Sequence, residues 1–280
     1  MRSFAVYAAQ DDAHHRLAMR TLPFLIVALI AGSAFAHDFW IEPSTFRPKV
    51  GTSLTAGLRV GMEFIGDPVP RDSSMIERFV VRDLAGERDI PGLERQDPAG
   101  YVRVDSAGIA IIGYRSRPKY LEMQADKFEQ YLRDEGLESI ITSRARRGDS
   151  LKPSKEIFSR CAKALVLADG GGSERGARVN TPLGFRYEIV PRTNPYQMKG
   201  DEMGVVVLYD GKPLSNALVV AMNKEDSSLR FRLRSDAKGR VTFHLPKHGI
   251  WLIKSVQMIP VPAGSNADWE SLWASLTFER

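Results

Sequence analysis

Residues 204–222, GVVVLYDGKPLSNALVVAM, contain the pattern that decides the fold. Two apolar runs, Val205 to Tyr209 and Leu218 to Met222, lie on either side of the turn-forming segment Asp210 to Pro213. Short valine-rich runs bounded by Gly, Pro and Asp are typical of β-strands, and a turn between two of them predicts a hairpin. We therefore expect antiparallel β-structure in this part of the chain.

The same rhythm continues toward the C-terminus. Apolar runs at residues 229–234 and 241–245 lie on either side of a turn segment, and longer apolar runs follow at residues 250–256 and 269–278. Short strands at regular spacing, separated by turn residues, are typical of an all-β sandwich. Residues 197–280 are therefore predicted to form a C-terminal β-sandwich of the prealbumin-like or immunoglobulin-like kind.

A second β-rich region precedes this one. Two prolines within residues 191–195 stiffen the chain and predict a linker, so that residues 37–190 form an N-terminal β-sandwich. The fold class predicted is therefore mainly β, with two β-sandwich domains. The short apolar runs of the first domain, separated by Gly, Pro and Asp clusters, are residues 53–60, 76–81, 101–104 and 109–114.

The period changes in the middle of the first domain. In residues 126–136, Phe128, Tyr131 and Leu132 are spaced i, i+3, i+4, which is the pattern of one helix face, and Gly136 is a suitable residue to end the helix. This stretch predicts an amphipathic helix.

Two further helices are predicted after it, at residues 137–146 and 154–166. Pro153 lies just before the second of these, as it often does at the start of a helix. The first sandwich is therefore expected to carry a helical insertion over about residues 124–166. Cys161 lies in the last predicted helix, where we expect a buried and inert thiol.

The beginning of the sequence is typical of an export signal. Within residues 1–36, Arg20 provides a positive charge, an apolar stretch follows, and residues 34–36 form an Ala-Phe-Ala cleavage site. Cleavage there would leave His37 as the first residue of a periplasmic protein. Residues 1–18 are an unusual leader, and we interpret them as a possible mis-assigned start. No other run is apolar and long enough to predict a membrane-spanning helix.

Composition and motifs exclude several classes of function. The chain has 280 residues and a net charge of +5, without a long basic run, so no nucleic-acid partner is expected. Its single cysteine excludes an intramolecular disulfide. The sequence contains no nucleophile elbow, no H-E-x-x-H motif and no dinucleotide-binding glycine motif, so it is not predicted to be an enzyme.

His37 is the sharpest chemical feature. Cleavage before it would free its α-amino group, whose ordinary pKa is about 8. The amine and the ring nitrogen of one residue can then chelate a metal ion, and a further imidazole would complete a site that suits copper(II) or nickel(II). His248 and His244 are the candidates for that imidazole. The alternatives are a solvated His37, a solvated turn histidine at position 248, and either strand face for His244.

Seven segments, spread in order over nearly the whole exported chain, resemble those of the DUF4198 proteins, which are grouped with periplasmic components of cobalt and nickel transport systems. The resemblance implies a periplasmic, non-enzymatic protein with β-sandwich domains, a link to nickel or cobalt handling, and His37 as a metal ligand. Relatives carry a histidine within residues 255–258, where this chain has Gln257, so the ligand set can differ here. The matching segments are residues 37–43, 113–116, 128–137, 159–165, 211–214, 249–252 and 269–278.

Three hypotheses follow. The first is a periplasmic accessory protein that binds or delivers nickel, cobalt or copper through His37, with a membrane transporter or envelope protein as its partner. The second is a structural or ligand-recognition module of the envelope that binds no metal. The third is an oxidative copper enzyme, which would need a second histidine within coordination distance of His37.

Overall fold

The computed structural model describes residues 37–169, 179–262 and 264–280, and within these ranges the protein is mainly β, with seventeen strands and two α-helices. The predicted class is therefore confirmed. The predicted signal peptide and the glycine turn at residues 170–173 lie outside the described residues. The strands of the first part of the chain are β1 Asp38–Pro43, β2 Ser53–Met62, β3 Ile65–Val69, β4 Ile76–Asp83, β5 Gly86–Asp89, β6 Gly100–Arg103, β7 Gly108–Ser116, β8 Lys119–Met123 and β9 Ser154–Ala168.

Both helices lie between β8 and β9, as the sequence pattern predicts. Helix α1 spans Ala125–Asp134 and buries Phe128, Tyr131 and Leu132, and helix α2 spans Glu138–Arg147. A short 3-10 helix, Pro195–Gln197, begins at the last residue of the predicted linker. The remaining strands are β10 Tyr187–Pro191, β11 Glu202–Tyr209, β12 Lys212–Pro213, β13 Leu218–Asn223, β14 Arg230–Arg234, β15 Arg240–His244, β16 Ile250–Pro260 and β17 Trp269–Glu279.

Three sheets form three layers. The middle layer is a nine-stranded sheet with the order β14-β13-β16-β17-β9-β7-β4-β5, and β8 also pairs with β9. On one of its faces lies a sheet of β1, β2, β3 and β6, and on the other a sheet of β10, β11, β12 and β15. The helical pair packs on the same face as the β1 sheet, against Trp269 and Trp273.

Strand β9 replaces the third predicted helix, so the prediction for residues 154–166 was wrong. The strand pairs antiparallel with β7 and parallel with β17. Its even residues, such as Ala162 and Ala164, face the β1 sheet, while Cys161 and Leu165 face the opposite sheet. A strand buried on both faces has a nearly continuous apolar run, which periodicity alone does not distinguish from a buried helix.

Two predicted hairpins also have different partners in the structure. Strand β11 turns tightly into β12 at Asp210 and Gly211, both with positive φ, but β13 pairs with β14 and β16 in the middle sheet. Likewise β14 belongs to the middle sheet and β15 to the β10 sheet. The connecting segments therefore carry the chain from one layer to the other, which is how strands cross between the sheets of a sandwich.

The middle sheet contains strands from both predicted domains. Strand β9, from residues 37–190, lies beside β17, from residues 197–280, over nine paired residues from Trp269 to Thr277. The division of the chain into two domains at the linker stays a prediction.

Candidate functional site

Strand β1 holds the segment that follows the predicted cleavage point. It pairs antiparallel with β2, from Asp38 opposite Gly61 to Pro43 opposite Ala56. Its alternating side chains place Phe39 and Ile41 in the core between the β1 sheet and the middle sheet. The Ile41 carbonyl also accepts a hydrogen bond of 2.7 Å from Oγ1 of Thr277 on β17. The strand is therefore held on both sides.

A buried charge cluster lies beside the beginning of β1. Lys254 Nζ, on β16, lies 2.5 Å from Oδ1 of Asp38 and donates a hydrogen bond of 2.8 Å to Oε1 of Glu135, which follows helix α1. Burial raises the pKa of Glu135 despite Lys254. Burial alone would lower the pKa of Lys254, but the two carboxylates raise it. The cluster joins β1, β16 and the helical pair at one point.

Arg160, on β9, lies on the other side of β1. The guanidinium carbon is 4.8 Å from the ring centre of Phe39 and 5.5 Å from that of Phe158. Burial lowers the pKa of Arg160 to about 10, and Tyr114 and Asp38 oppose that effect. Within residues 37–169, 179–262 and 264–280, no side chain or carbonyl accepts a hydrogen bond from this guanidinium. Among the described residues, cation–π contacts with the two rings therefore stabilise the charge of Arg160, and no carboxylate is paired with it.

His37 directly precedes the strand, and its side chain is partly buried. Among the described residues its Nδ1 atom is buried and has no hydrogen-bond partner. His37 lies two residues before Phe39, and Arg160 contacts the ring of Phe39. Nδ1 is the ring nitrogen closest to the α-amino group, so the unpartnered atom is the one that could chelate a metal together with a free amine.

The structure does not bring His248 to His37. His248 is exposed and precedes Lys254, which contacts Asp38, by six residues along β16 and the turn before it. An extended chain of that length spans about 20 Å. The direction of β1 supports this separation. Glu42, at the end of β1 far from His37, pairs with Lys224, which lies near the start of β16 and so on the His248 side.

His244 is also distant from His37. It lies on β15, opposite Glu202, with its side chain facing solvent 3.8 Å from Asp201. Strand β15 belongs to the sheet on the opposite face of the middle sheet from β1. In the described part of the chain, no group of three or more His, Cys, Asp or Glu side chains is arranged to hold a metal ion. A site that joins three histidines therefore has no support in this geometry.

Gln257 lies on the face of β16 opposite to Lys254. It pairs with Leu272, and it lines a cavity of 240 Å³ with Asn216 and Arg234. The position at which relatives carry a histidine therefore points away from the charge cluster and from β1.

Cys161 is buried, and burial raises the pKa of its thiol to about 11. The sulfur is therefore protonated at neutral pH, in agreement with the expected inert thiol, although its residue lies in a strand rather than in a helix.

Two buried carboxylates were not identified from the sequence. Glu188 lies 2.7 Å from Lys163 in the core and also accepts hydrogen bonds from three backbone amides. Glu156 is buried near Tyr131 and Ser271 without a cationic partner among the described residues. The sequence signal was a charged residue within or beside an apolar run: Glu156 lies in the first turn of the helix predicted at residues 154–166, and Glu188 lies in an apolar run predicted to be a strand.

A cleft of 640 Å³ opens at the far end of β1. Its charged side chains are paired with one another. Glu42 contacts Arg59 and Lys224, Arg59 also contacts Asp97, and the other pair is formed between Arg47 and Glu279.

Comparisons with known proteins give a family model and several solved structures. A family model described as "Domain of unknown function (DUF4198)" matches residues 34–258. Among solved structures, the D0-D1 domain of intimin is 11% identical, with 86% of this chain and 97% of that chain covered and a TM-score of 0.19. No curated protein matches the sequence. Across the described residues, neither helix has the length and apolar character needed to cross a membrane.

Proposed function

The chain belongs to the DUF4198 family, and from that premise we propose that its exported form binds a divalent transition-metal ion, nickel, cobalt or copper, through His37. The observation that carries the proposal is the buried Nδ1 atom of His37, which has no hydrogen-bond partner in the described part of the chain. A buried polar atom without a partner costs free energy, so a ligand at that atom would be favoured.

Cleavage before His37 would provide the second donor. The freed α-amino group and Nδ1 belong to the same residue, so together they close one chelate ring on a metal ion. Deprotonating the amine is inexpensive because its ordinary pKa is only about 8. Imidazole and amine nitrogens suit nickel(II) and copper(II).

The surroundings support a fixed position for these donors. Asp38, the next residue, is held by Lys254, and β1 is paired with β2 along its whole length. A ligand residue that is already ordered loses less entropy when it binds an ion. His37 is therefore better prepared to bind a metal than a histidine at a free end would be.

Such a site would be open rather than closed. Two donors from one residue leave further coordination positions for water or for ligands from a second molecule. An open site fits an accessory protein that receives or delivers an ion, with a membrane transporter or another envelope protein as its partner. In this proposal the protein binds in the periplasm and catalyses no reaction.

Calorimetry with nickel(II) and copper(II) on the form that begins at His37 tests the proposal. One alanine placed before His37 moves the amine out of reach of Nδ1, and His37→Ala removes the ring. We expect both changes to abolish measurable binding, while His248→Ala and His244→Ala leave the affinity unchanged. Equal affinity with and without the additional alanine would overturn the proposal.

The second candidate is recognition of an organic ligand without a metal. The cleft at the far end of β1 favours it, because its 640 Å³ is within the usual range for small-molecule sites. Crystals of metal-free protein isolated from its native envelope would test this candidate. Density for an organic molecule beside Arg59 and Lys224 would support it, and an empty cleft in protein that retains nickel binding would reject it.

A further inference from the structure

The position of Arg160 is unusual for a charged side chain. Its guanidinium carbon lies over the rings of Phe39 and Phe158, at 4.8 and 5.5 Å from their centres. Stacking on aromatic faces stabilises a cation and orders the side chain. The edge of the guanidinium carries its N–H donors, and stacking leaves that edge available.

Among the described residues, no carboxylate forms an ion pair with Arg160. Asp38 raises the pKa of Arg160 through its charge, but Asp38 is already paired with Lys254 at 2.5 Å. Glu135 is engaged by the same lysine. Burial lowers the pKa of Arg160 to about 10, so an anion that reaches its guanidinium would offset the unfavourable loss of solvation.

Removal of the signal peptide would add a further positive charge here. The new α-ammonium group of His37 would add to the charges of Arg160 and Lys254, while Asp38 and Glu135 are the carboxylates paired with Lys254 in the described part of the chain. The amino end of the exported chain would therefore carry an excess of positive charge. An external anion is the group that this arrangement lacks.

We infer that Arg160, stacked on the rings of Phe39 and Phe158 near the start of β1, binds the carboxylate group of a small organic acid. A guanidinium edge and a carboxylate are both planar and form two parallel hydrogen bonds. The two aromatic walls suit a flat group with an attached carbon chain. A tetrahedral phosphate does not match the flat faces of the two rings, so we expect it to bind more weakly than a carboxylate attached to a flat group.

This inference does not require the metal site proposed above. Arg160 contacts the ring of Phe39, two residues after His37, so a carboxylate bound by Arg160 could also occupy an open position on a metal ion held at His37. The two sites are nevertheless tested separately, because the carboxylate can be titrated into metal-free protein.

NMR titration of the form that begins at His37, freed of metal by a chelator, is the test. The probes are sodium benzoate and, for comparison, sodium phosphate at the same ionic strength, and the signal is the Nε–H resonance of Arg160. We expect a saturable shift with benzoate that is at least about 10-fold tighter than any shift with phosphate, the factor that one charged hydrogen bond contributes.

Three variants complete the test. Arg160→Gln should remove saturable benzoate binding, followed through backbone amides of β1 and β9, and Arg160→Lys should weaken it because the planar fork is lost. Arg146→Gln, at an exposed arginine on α2, should leave it unchanged. If Arg160→Gln does not fold, the Arg160→Lys comparison carries the test.

The possible results separate the two proposals. Benzoate affinity that is equal in the wild type and the folded Arg160 variants, or phosphate binding as tight as benzoate binding, overturns the carboxylate site. Benzoate binding that depends on Arg160, in a protein that binds none of nickel(II), cobalt(II) and copper(II), supports the carboxylate site and rejects the metal proposal.

Discussion

At the scale of single residues, Glu156 is a buried carboxylate whose hydrogen bonds are incomplete among the described residues. Its Oε1 accepts a hydrogen bond from Ser271 and lies 3.4 Å from the Tyr131 hydroxyl, while its Oε2 is buried without a partner. Burial raises the pKa of Glu156 to about 7, although the hydrogen bonds from Ser271 and Tyr131 oppose that shift. The carboxyl is therefore neutral in the folded protein at mildly acidic pH.

We predict that Glu156→Gln stabilises the protein at pH 8. The folded pKa lies above the ordinary 4.5, so between 4.5 and about 7 the folded state binds more protons than the unfolded state, and stability falls as pH rises. A glutamine cannot ionise, so the variant should lose this decline. The gain at pH 8 is at most about 3 kcal/mol, from 1.36 kcal/mol per pKa unit.

Urea unfolding at pH 5 and pH 8 measures this effect. Glu122→Gln, at an exposed position on the neighbouring strand β8, is the matched control and should show the same pH dependence as the wild type. If the free energy of unfolding of Glu156→Gln declines between pH 5 and pH 8 as steeply as that of the wild type, the carboxyl is already charged in the folded state.

At the scale of elements, a comparison of β9 with the two helices shows which secondary structure the sequence pattern could predict. Helices α1 and α2 were predicted correctly because each buries only one face, so its apolar residues keep a helical spacing. Strand β9 is buried on both faces, and its alanines and leucines favour a helix locally. Pairing with β7 and β17 decides its conformation, and no local pattern contains that information.

Only part of the candidate site could be predicted, because strand pairing is not contained in the local sequence pattern. His37 could be singled out because cleavage chemistry depends only on its place in the sequence. Lys254 and Arg160 could not, because their proximity to β1 arises from strand pairing over more than 100 residues of chain. Strand register also places His244 and His248 far from His37. Hydrophobic alternation alone did not predict these positions.

Strand β10 is joined to β9 by a buried ion pair, and we predict that Glu188→Ala is strongly destabilising. The change leaves Lys163 charged in the core and three backbone amides without their acceptor. The removal of one partner of a buried ion pair costs about 3–5 kcal/mol.

Urea unfolding of Glu188→Ala at pH 7 gives the loss directly. Glu202→Ala, exposed on the adjacent strand β11, is the control and should change the free energy of unfolding by less than about 0.5 kcal/mol. Equal stabilities of the two variants would mean that Lys163 is neutral or hydrated in the folded protein.

At the scale of the whole molecule, the middle sheet is the common support of both outer sheets. The β1 sheet and the helical pair cover one face and the β10 sheet covers the other, with a separate apolar core on each side. Strands β7 and β9 contribute to both cores with alternate residues. Loss of the middle sheet would therefore expose both cores at once.

We predict that the described residues unfold in one cooperative transition. Pulsed hydrogen exchange across a urea series, read by mass spectrometry, should give the same midpoint for peptides from β2 and from β11, which lie in opposite outer sheets. Two separate midpoints would instead indicate two independently folding domains divided near residues 191–195.

If the protein is exported as we propose, the burial of Asp38 has a consequence for its maturation. In the precursor the bond before His37 would lie next to a residue that is paired with Lys254 and with β2. A protease acts on chain that has opened locally, and here opening would break that ion pair and the edge of a sheet. The leader is therefore expected to be removed while β1 is still unfolded, so that maturation precedes the docking of this strand.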